Sequence, residues 1–378
     1  MWLVGYLYNN NGMGTWCWEA AHALADAGES VTLVCSPAVS LPGPTTLPIL
    51  RVAAPARARS IPGKIREVVG QLSAQGPDVM LEAVRRLAAA GTPVSYVLLN
   101  STEFYVTGIA APQLVTAWAR GVLFREYVAR LRVHVHGLSH HAVRTIFGTI
   151  GWWRKDWRSF RRADLVLGVT SPLVEQLRAH GINVELLHPC THVSLRPPVV
   201  REAGAPVRLL TAAVALEDPR KRVLWMLNAL REWTGTNCTL TLIGASSTGV
   251  QAAALALTIP VEFTGMLSRE EVVRAMRTHD IFLFASELDD WGYVVTEAMS
   301  QGMAVVAPAC SPFDEILGST GALYAPHSPI AFRQALDALL SRVMSSRLAS
   351  WERAHDKFSR ARFSSRLRSI VSERFPHP

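Results

Sequence analysis

Two carboxylates in a D-x7-E spacing, Asp289 and Glu297, flank a glycine, Gly292, in the segment 286–308, which reads as strand end, loop, short helix and strand. A helix fed by such a loop starts at the carboxyl edge of a parallel sheet, where ligands bind in folds of this kind. The amides of Gly292, Tyr293 and Val294 would then face a phosphate, and glycine at 292 lets the backbone approach it closely. Asp289 and Glu297 would repel a phosphate at short range, so they make chemical sense as acceptors for neutral hydroxyls on either side of it. Sugar hydroxyls meet that requirement. The bland alternative is that Asp289 caps the helix and Glu297 is a solvated helix residue.

A second chemical signal is Arg220-Lys221, directly after a strand-like run. Lysine is scarce in the chain, at positions 64, 155, 221 and 357 alone, so Lys221 beside an arginine stands out from the background. Such a pair suits the negative charge that develops on a leaving diphosphate; a solvated turn is the plain alternative. Four histidines, His134, His136, His140 and His141, crowd one stretch without a carboxylate at ligand spacing, which argues against a metal cluster. Gly12-x-Gly14 lacks the third glycine and the acid of a dinucleotide fingerprint, and no lysine lies in a Schiff-base context. Nicotinamide and pyridoxal chemistry are set aside, and the lack of a D-x-D motif fits a reaction without a metal.

These residues need a scaffold. Residues 2–8 read as a strand, 9–14 as a turn, Thr15 as the cap of a helix through Asp26, and 31–35 as a second strand, a βαβ unit with buried parallel strands. Further strands are expected at 94–99, 131–135 and 164–169, with helices at 78–90 and 172–180. The proline-rich run between Val193 and Val207 reads as a hinge. Alternation then restarts, with strands at 208–214, 238–243, 261–264, 280–285 and 304–307 and helices at 223–233, 268–278 and 293–300. Phe363, Leu367, Ile370, Val371 and Phe375 recur at helical spacing among arginines, giving an amphipathic helix that must cover something apolar. The expected architecture is α/β, with domains at 1–196 and 197–358 and a helical tail at 359–378.

With 378 residues the chain is long enough for two cores, and 49% hydrophobic against 18% charged residues excludes extensive disorder. No apolar run reaches the ~18–20 residues of a membrane span, and the start lacks signal-peptide features. Five scattered cysteines suggest neither disulfides nor a zinc site, so a reducing cytoplasm is expected. The net charge of +8 favours an anionic partner, although no nucleic-acid-binding module is present. Trp152, Trp153 and Trp157 interleaved with basic residues suit either an anionic membrane interface or an aromatic-lined acceptor site, or else pack beneath the domain.

The 286–308 segment resembles the E-x7-E signature of retaining glycosyltransferases of the GT-B fold, family 4, with Asp289, Gly292, Glu297, Ala298, Met299 and Gly302 at the matching places. The resemblance implies two Rossmann-like domains facing across a cleft, with the C-terminal helix crossing back to the first. It implies a hexosyltransferase using a nucleoside diphosphate sugar, UDP or GDP, with no cofactor or metal and with retention at the sugar. In it Asp289 contacts the donor sugar, the amides after Gly292 the diphosphate, and Glu297 the nucleotide ribose. Met13-Gly14 looks like the family's N-terminal glycine loop, and 133–137 is similar to a strand ending in a histidine, His136, that hydrogen-bonds the donor sugar. Asp218-Pro219-Arg220-Lys221-Arg222 occupies the place of the basic pair on the diphosphate, with Arg220 supplying the guanidinium of a missing Gly-Arg. The first acid is aspartate rather than glutamate, one methylene shorter, so it reaches a different hydroxyl or works through water. Sugar, lipid-linked and small-molecule acceptors are all open. The rival readings are a nucleotide-sugar epimerase or hydrolase, and a non-catalytic protein of the same fold.

Overall fold

A computed structural model describes residues 1–7, 12–53, 79–99, 113–117, 160–161, 163–194, 196–199, 202, 204–235, 237–287, 289 and 291–375. The chain forms two compact units, Met1–Cys190 with Arg360–Pro378, and Thr191–Ser359.

The first unit holds β1 (Trp2–Leu7), α1 (Gly12–Asp26), β2 (Val31–Cys35), β3 (Ile49–Arg51), α2 (Val79–Ala89), β4 (Tyr96–Leu99), β5 (Gln113–Ala117), β6 (Leu165–Gly168), α3 (Ser171–Ala179) and β7 (Val184–Leu186). Its seven strands are all parallel, in the order β3-β2-β1-β4-β5-β6-β7. β2 and β6 are buried along their whole length, as parallel strands covered on both faces require. α1 is already under way at Gly12, so Thr15 is an interior helix residue rather than a cap, and Met13-Gly14 lies in the helix rather than in a loop. β5 follows no pattern read from the sequence, while the strand expected at 131–135 lies outside the described residues.

The second unit continues with β8 (Val207–Ala215), α4 (Val223–Leu230), β9 (Cys238–Ala245), α5 (Thr248–Leu255), β10 (Val261–Gly265), α6 (Arg269–Thr278), β11 (Ile281–Leu283), α7 (Tyr293–Ser300), β12 (Ala304–Pro308), α8 (Phe313–Leu317), β13 (Ala322–Tyr324), α9 (Pro329–Leu340) and α10 (Val343–Phe358). The strands are parallel, in the order β10-β9-β8-β11-β12-β13. From β8 the chain winds outward to β9 and β10, and from β11 it winds the other way. The winding reverses between β8 and β11, the switch point of the sheet, at whose carboxyl edge folds of this kind bind ligands.

The division of the chain falls ahead of the proline run, and the described part of that run is held to the second unit. Trp351 Nε1 on α10 donates to the Ser194 carbonyl at 2.9 Å and Arg347 to the Val199 carbonyl at 3.2 Å. A Cβ at Gly302 (φ 82°) would meet Pro198 at 2.7 Å, so the end of α7 and this run are closely packed. Arg347 also closes a buried ion pair with Asp280 at 3.0 Å and donates to the Gly302 carbonyl at 3.0 Å, fixing α10 against the start of β12.

The tail forms α11 (Arg360–Arg374) and belongs to the first unit. Its apolar stripe, Phe363, Leu367, Ile370 and Val371 with Phe375 beyond it, is buried. Phe363 meets Trp16 edge-on, and Phe375 packs on Trp2 and Tyr96. Among the described residues no helix is long and apolar enough to cross a membrane.

Candidate active site

The loops that leave the switch point of the second sheet carry the charged residues singled out above. After β8, Asp218-Pro219 makes a tight turn in which Asp218 Oδ1 accepts from the Arg220 amide at 2.9 Å and the Lys221 amide donates to the Asp218 carbonyl at 2.9 Å. The turn projects Lys221 toward the loop after β11, where its Nζ donates to both Asp289 oxygens, at 3.2 and 3.0 Å. Both partners are half-buried.

Arg220 does not join them directly. Its guanidinium is held by Asp218 with Nε at 3.1 Å from both oxygens and Nη2 at 2.6 Å from one. That hydrogen bonding keeps the Asp218 carboxyl below the usual range and pushes the Arg220 guanidinium up. Arg220 is therefore a fixed cation beside Lys221 rather than a free one.

Gly292 opens α7 in the left-handed region (φ 74°, ψ 57°), and a Cβ there would lie 2.7 Å from the Phe313 ring. Only glycine satisfies both the turn and the close approach. Tyr293 and Val294 form the first turn of α7, whose amides point back along the axis toward the carboxyl edge. One turn on, Glu297 Oε1 accepts from Arg269 Nη2 at 3.0 Å. Burial pushes the Glu297 carboxyl up from its ordinary value, with the charge and hydrogen bond of Arg269 opposing.

Sequence reasoning missed a second cross-loop pair. Arg222, in the left-handed region at φ 54°, stands just before α4, lies 4.6 Å over the Trp225 ring and ion-pairs with Glu287. Glu287 also meets His327 Nε2, after β13, at 3.1 Å. Lys221–Asp289 and Arg222–Glu287 thus tie the two loops together as adjacent rungs. Arg269 was missed too, although Ser268-x-x-Glu271 is a capping-box signature that sets Arg269 at the first position of α6.

The structure therefore joins Lys221 to Asp289, with Arg220 alongside, and sets Gly292, Tyr293, Val294 and Glu297 on the start and first turns of α7, the helix that follows the loop carrying Asp289. Gly14 lies buried in the first turns of α1, in the first unit, past the switch point between β1 and β4. His136, Trp152, Trp153 and Trp157 lie outside the described residues.

Residues 206–342 match the family described as Glycosyl transferases group 1. Over 73 residues the chain is 38% identical to the sulfoquinovosyl transferase SQD2 of Arabidopsis thaliana, a stretch covering 18% of this chain and 14% of that protein's length. Among solved structures it is similar to sucrose-phosphate synthase from Thermosynechococcus elongatus, with TM-score 0.70, 16% identity, and 99% and 98% of the two chains covered. It is also similar to WaaG, a glycosyltransferase of lipopolysaccharide biosynthesis (TM-score 0.67, 17% identity, 98% and 100% covered). A third is HepE of Anabaena in complex with UDP and glucose (TM-score 0.64, 15% identity, 99% and 100% covered). The carboxyl edge of β8 and β11 thus lies within the segment that matches the Glycosyl transferases group 1 model, in a chain with the GT-B fold.

Proposed function

We propose that the protein transfers a hexose from a nucleoside diphosphate sugar to an acceptor hydroxyl, with retention of configuration and without a metal. The observation that carries this reading is the meeting of Lys221 and Asp289 at the switch point, on the loop that leads into α7 and Glu297. Cation, carboxylate and helix start are the three groups needed by a ligand whose sugar adjoins a diphosphate. Likeness to a protein crystallised with UDP and glucose supports the donor class.

In this reading the amides of Tyr293 and Val294 and the Lys221 ammonium hold the diphosphate, Asp289 accepts from a hydroxyl of the donor sugar, and Glu297 accepts from the nucleotide ribose. As the bond from the anomeric carbon to the diphosphate oxygen breaks, Lys221 and Arg220 stabilise the charge collecting on the leaving group. The acceptor oxygen forms the new bond to that carbon, and its proton leaves with the diphosphate. The acceptor is assigned to the first unit, with Gly14 and His136 on the donor sugar. Work at the inner face of an anionic membrane, through Trp152, Trp153 and Trp157, is part of the same proposal.

Thermal unfolding with UDP, GDP, ADP and NAD tests the donor site, because a ligand at 100 times its dissociation constant adds about 2.7 kcal/mol. One nucleoside diphosphate should stabilise the wild type and lose its effect in Glu297→Ala. No shift with any of the four overturns the donor reading. Turnover of the matching sugar donor without an acceptor would replace transfer by hydrolysis or epimerisation.

A further inference from the structure

Arg269 has no role in the assignments above, and its position is unfavourable on local grounds. It occupies the first position of α6, where the positive end of the helix dipole disfavours a cation. The next two residues, Glu270 and Glu271, have the sign that position prefers. Its side chain is 55% exposed, and an ion pair at that exposure stabilises a fold little. Yet the backbone beneath it is firmly set. Ser268 Oγ accepts from the Glu271 amide at 3.3 Å while Glu271 Oε2 accepts from the Ser268 amide at 2.8 Å, a complete capping box.

From that anchored start the guanidinium crosses from α6 to α7 and takes one oxygen, Oε1, of Glu297. Oε2 is left as the acceptor for a ligand. The other charged groups on elements packed against α7 are engaged elsewhere or point outward. On α6, Glu271 turns back to Ser268, and Glu270, Arg274 and Arg277 are exposed. On α10, Arg347 is held by Asp280, Arg353 donates to the carbonyls of Glu315 and Ile316, and the charged residues beyond it are exposed. β12, Ala304–Pro308, carries no charge, and Asp289 before α7 is paired with Lys221.

We propose that Arg269 is the positioning residue of the ribose subsite: it grips Oε1 of Glu297 and presents Oε2 to the diol of the nucleoside diphosphate. The inference rests on the donor reading above. A local helix penalty is accepted because the cation acts on the neighbouring helix. Burial alone would favour the protonated carboxyl, which accepts hydrogen bonds weakly, and the guanidinium counters that.

The test is UDP and GDP affinity, by calorimetry, of wild type, Arg269→Gln, Arg269→Lys and Glu297→Gln between about pH 5.5 and pH 8. Without Arg269 nothing opposes burial, so the Glu297 carboxyl takes up its proton at a higher pH than in the wild type. Arg269→Gln is therefore expected to lose severalfold more affinity than wild type on going from pH 8 to pH 5.5. Arg269→Lys should restore most of the wild-type profile, and Glu297→Gln should bind weakly with a flat one. Parallel profiles for wild type and Arg269→Gln, with binding intact in both, overturn the role of Arg269 and leave the donor site standing. No binding by wild type at any pH overturns the donor reading and the inference together.

Discussion

Lys221 and Asp289 neutralise each other in the structure, and each faces a different part of the proposed donor, so their substitutions should separate. Lys221→Ala removes a cation from the diphosphate and leaves a carboxylate beside it. A charged hydrogen bond contributes about 1.5–3 kcal/mol, so nucleoside diphosphate affinity should fall about 10- to 100-fold. Asp289→Asn removes negative charge next to the phosphates and should bind the same nucleotide at least as tightly, while transfer falls about 100-fold or more. Equal loss of binding in both variants would place Asp289 on the nucleotide rather than on the sugar. Glu297 carries a stability cost as well. Its folded pKa is raised chiefly by burial, so the cost is absent below the unfolded carboxylate pKa of about 4.3 and grows as pH rises through the folded value. Glu297→Gln should match wild type in melting temperature near pH 4 and exceed it at pH 7; an equal or lower value at pH 7 contradicts this.

The helix that presents these groups depends on one backbone conformation. Gly292 stands at φ 74° against the Phe313 ring, and a non-glycine residue in that region costs about 1–3 kcal/mol before any clash. Gly292→Ala should destabilise the second unit by at least that much and weaken nucleotide binding further, since α7 must start elsewhere. Urea unfolding followed by nucleotide titration of the folded variant reads the two effects separately. The start of α7 and the role of glycine there were legible in the sequence, because turn chemistry, a helix and a following apolar strand come in fixed order. The partner of Glu297 was not read, although the capping box that sets α6 is itself a sequence pattern. What joins α6 to α7 is the crossing of two helices on one sheet edge, and no spacing along the chain encodes that.

At the scale of the molecule the first unit is closed by the last helix of the chain. Phe363 packs against Trp16, and Phe375 against Trp2 and Tyr96, adding to the core of the first unit. Phe363→Ala should cost about 3–5 kcal/mol, read as faster amide exchange in β1, β2 and β4 while the second unit keeps its protection. The tail is also held by charge. Glu185 on β7 meets Arg366 at 2.9 Å and also pairs with Arg374, and the Arg374 hydrogen bond holds its carboxyl below the usual range. That contribution is present above the unfolded carboxylate pKa and is lost as pH falls through the lower folded value. Helices such as α9 and α10, which complete the second unit, were not read from the sequence, and neither was β5. The proline run read as a hinge because prolines suppress periodicity, whereas Trp351 and Arg347 bind it to the second unit through its carbonyls.

The sequence by itself determined the α/β class, the parallel strands, the tail's apolar stripe and the acid–glycine–acid segment, because each follows from periodicity or from residue type within a short window. Tertiary structure alone decided that Lys221 faces Asp289, that Arg222 faces Glu287 and that Arg269 faces Glu297. Those contacts join residues far apart in the chain, and they are set by strand order. The reversal at β8 and β11 puts two loops at one edge of the sheet, and nothing local to either loop specifies which loop it will meet.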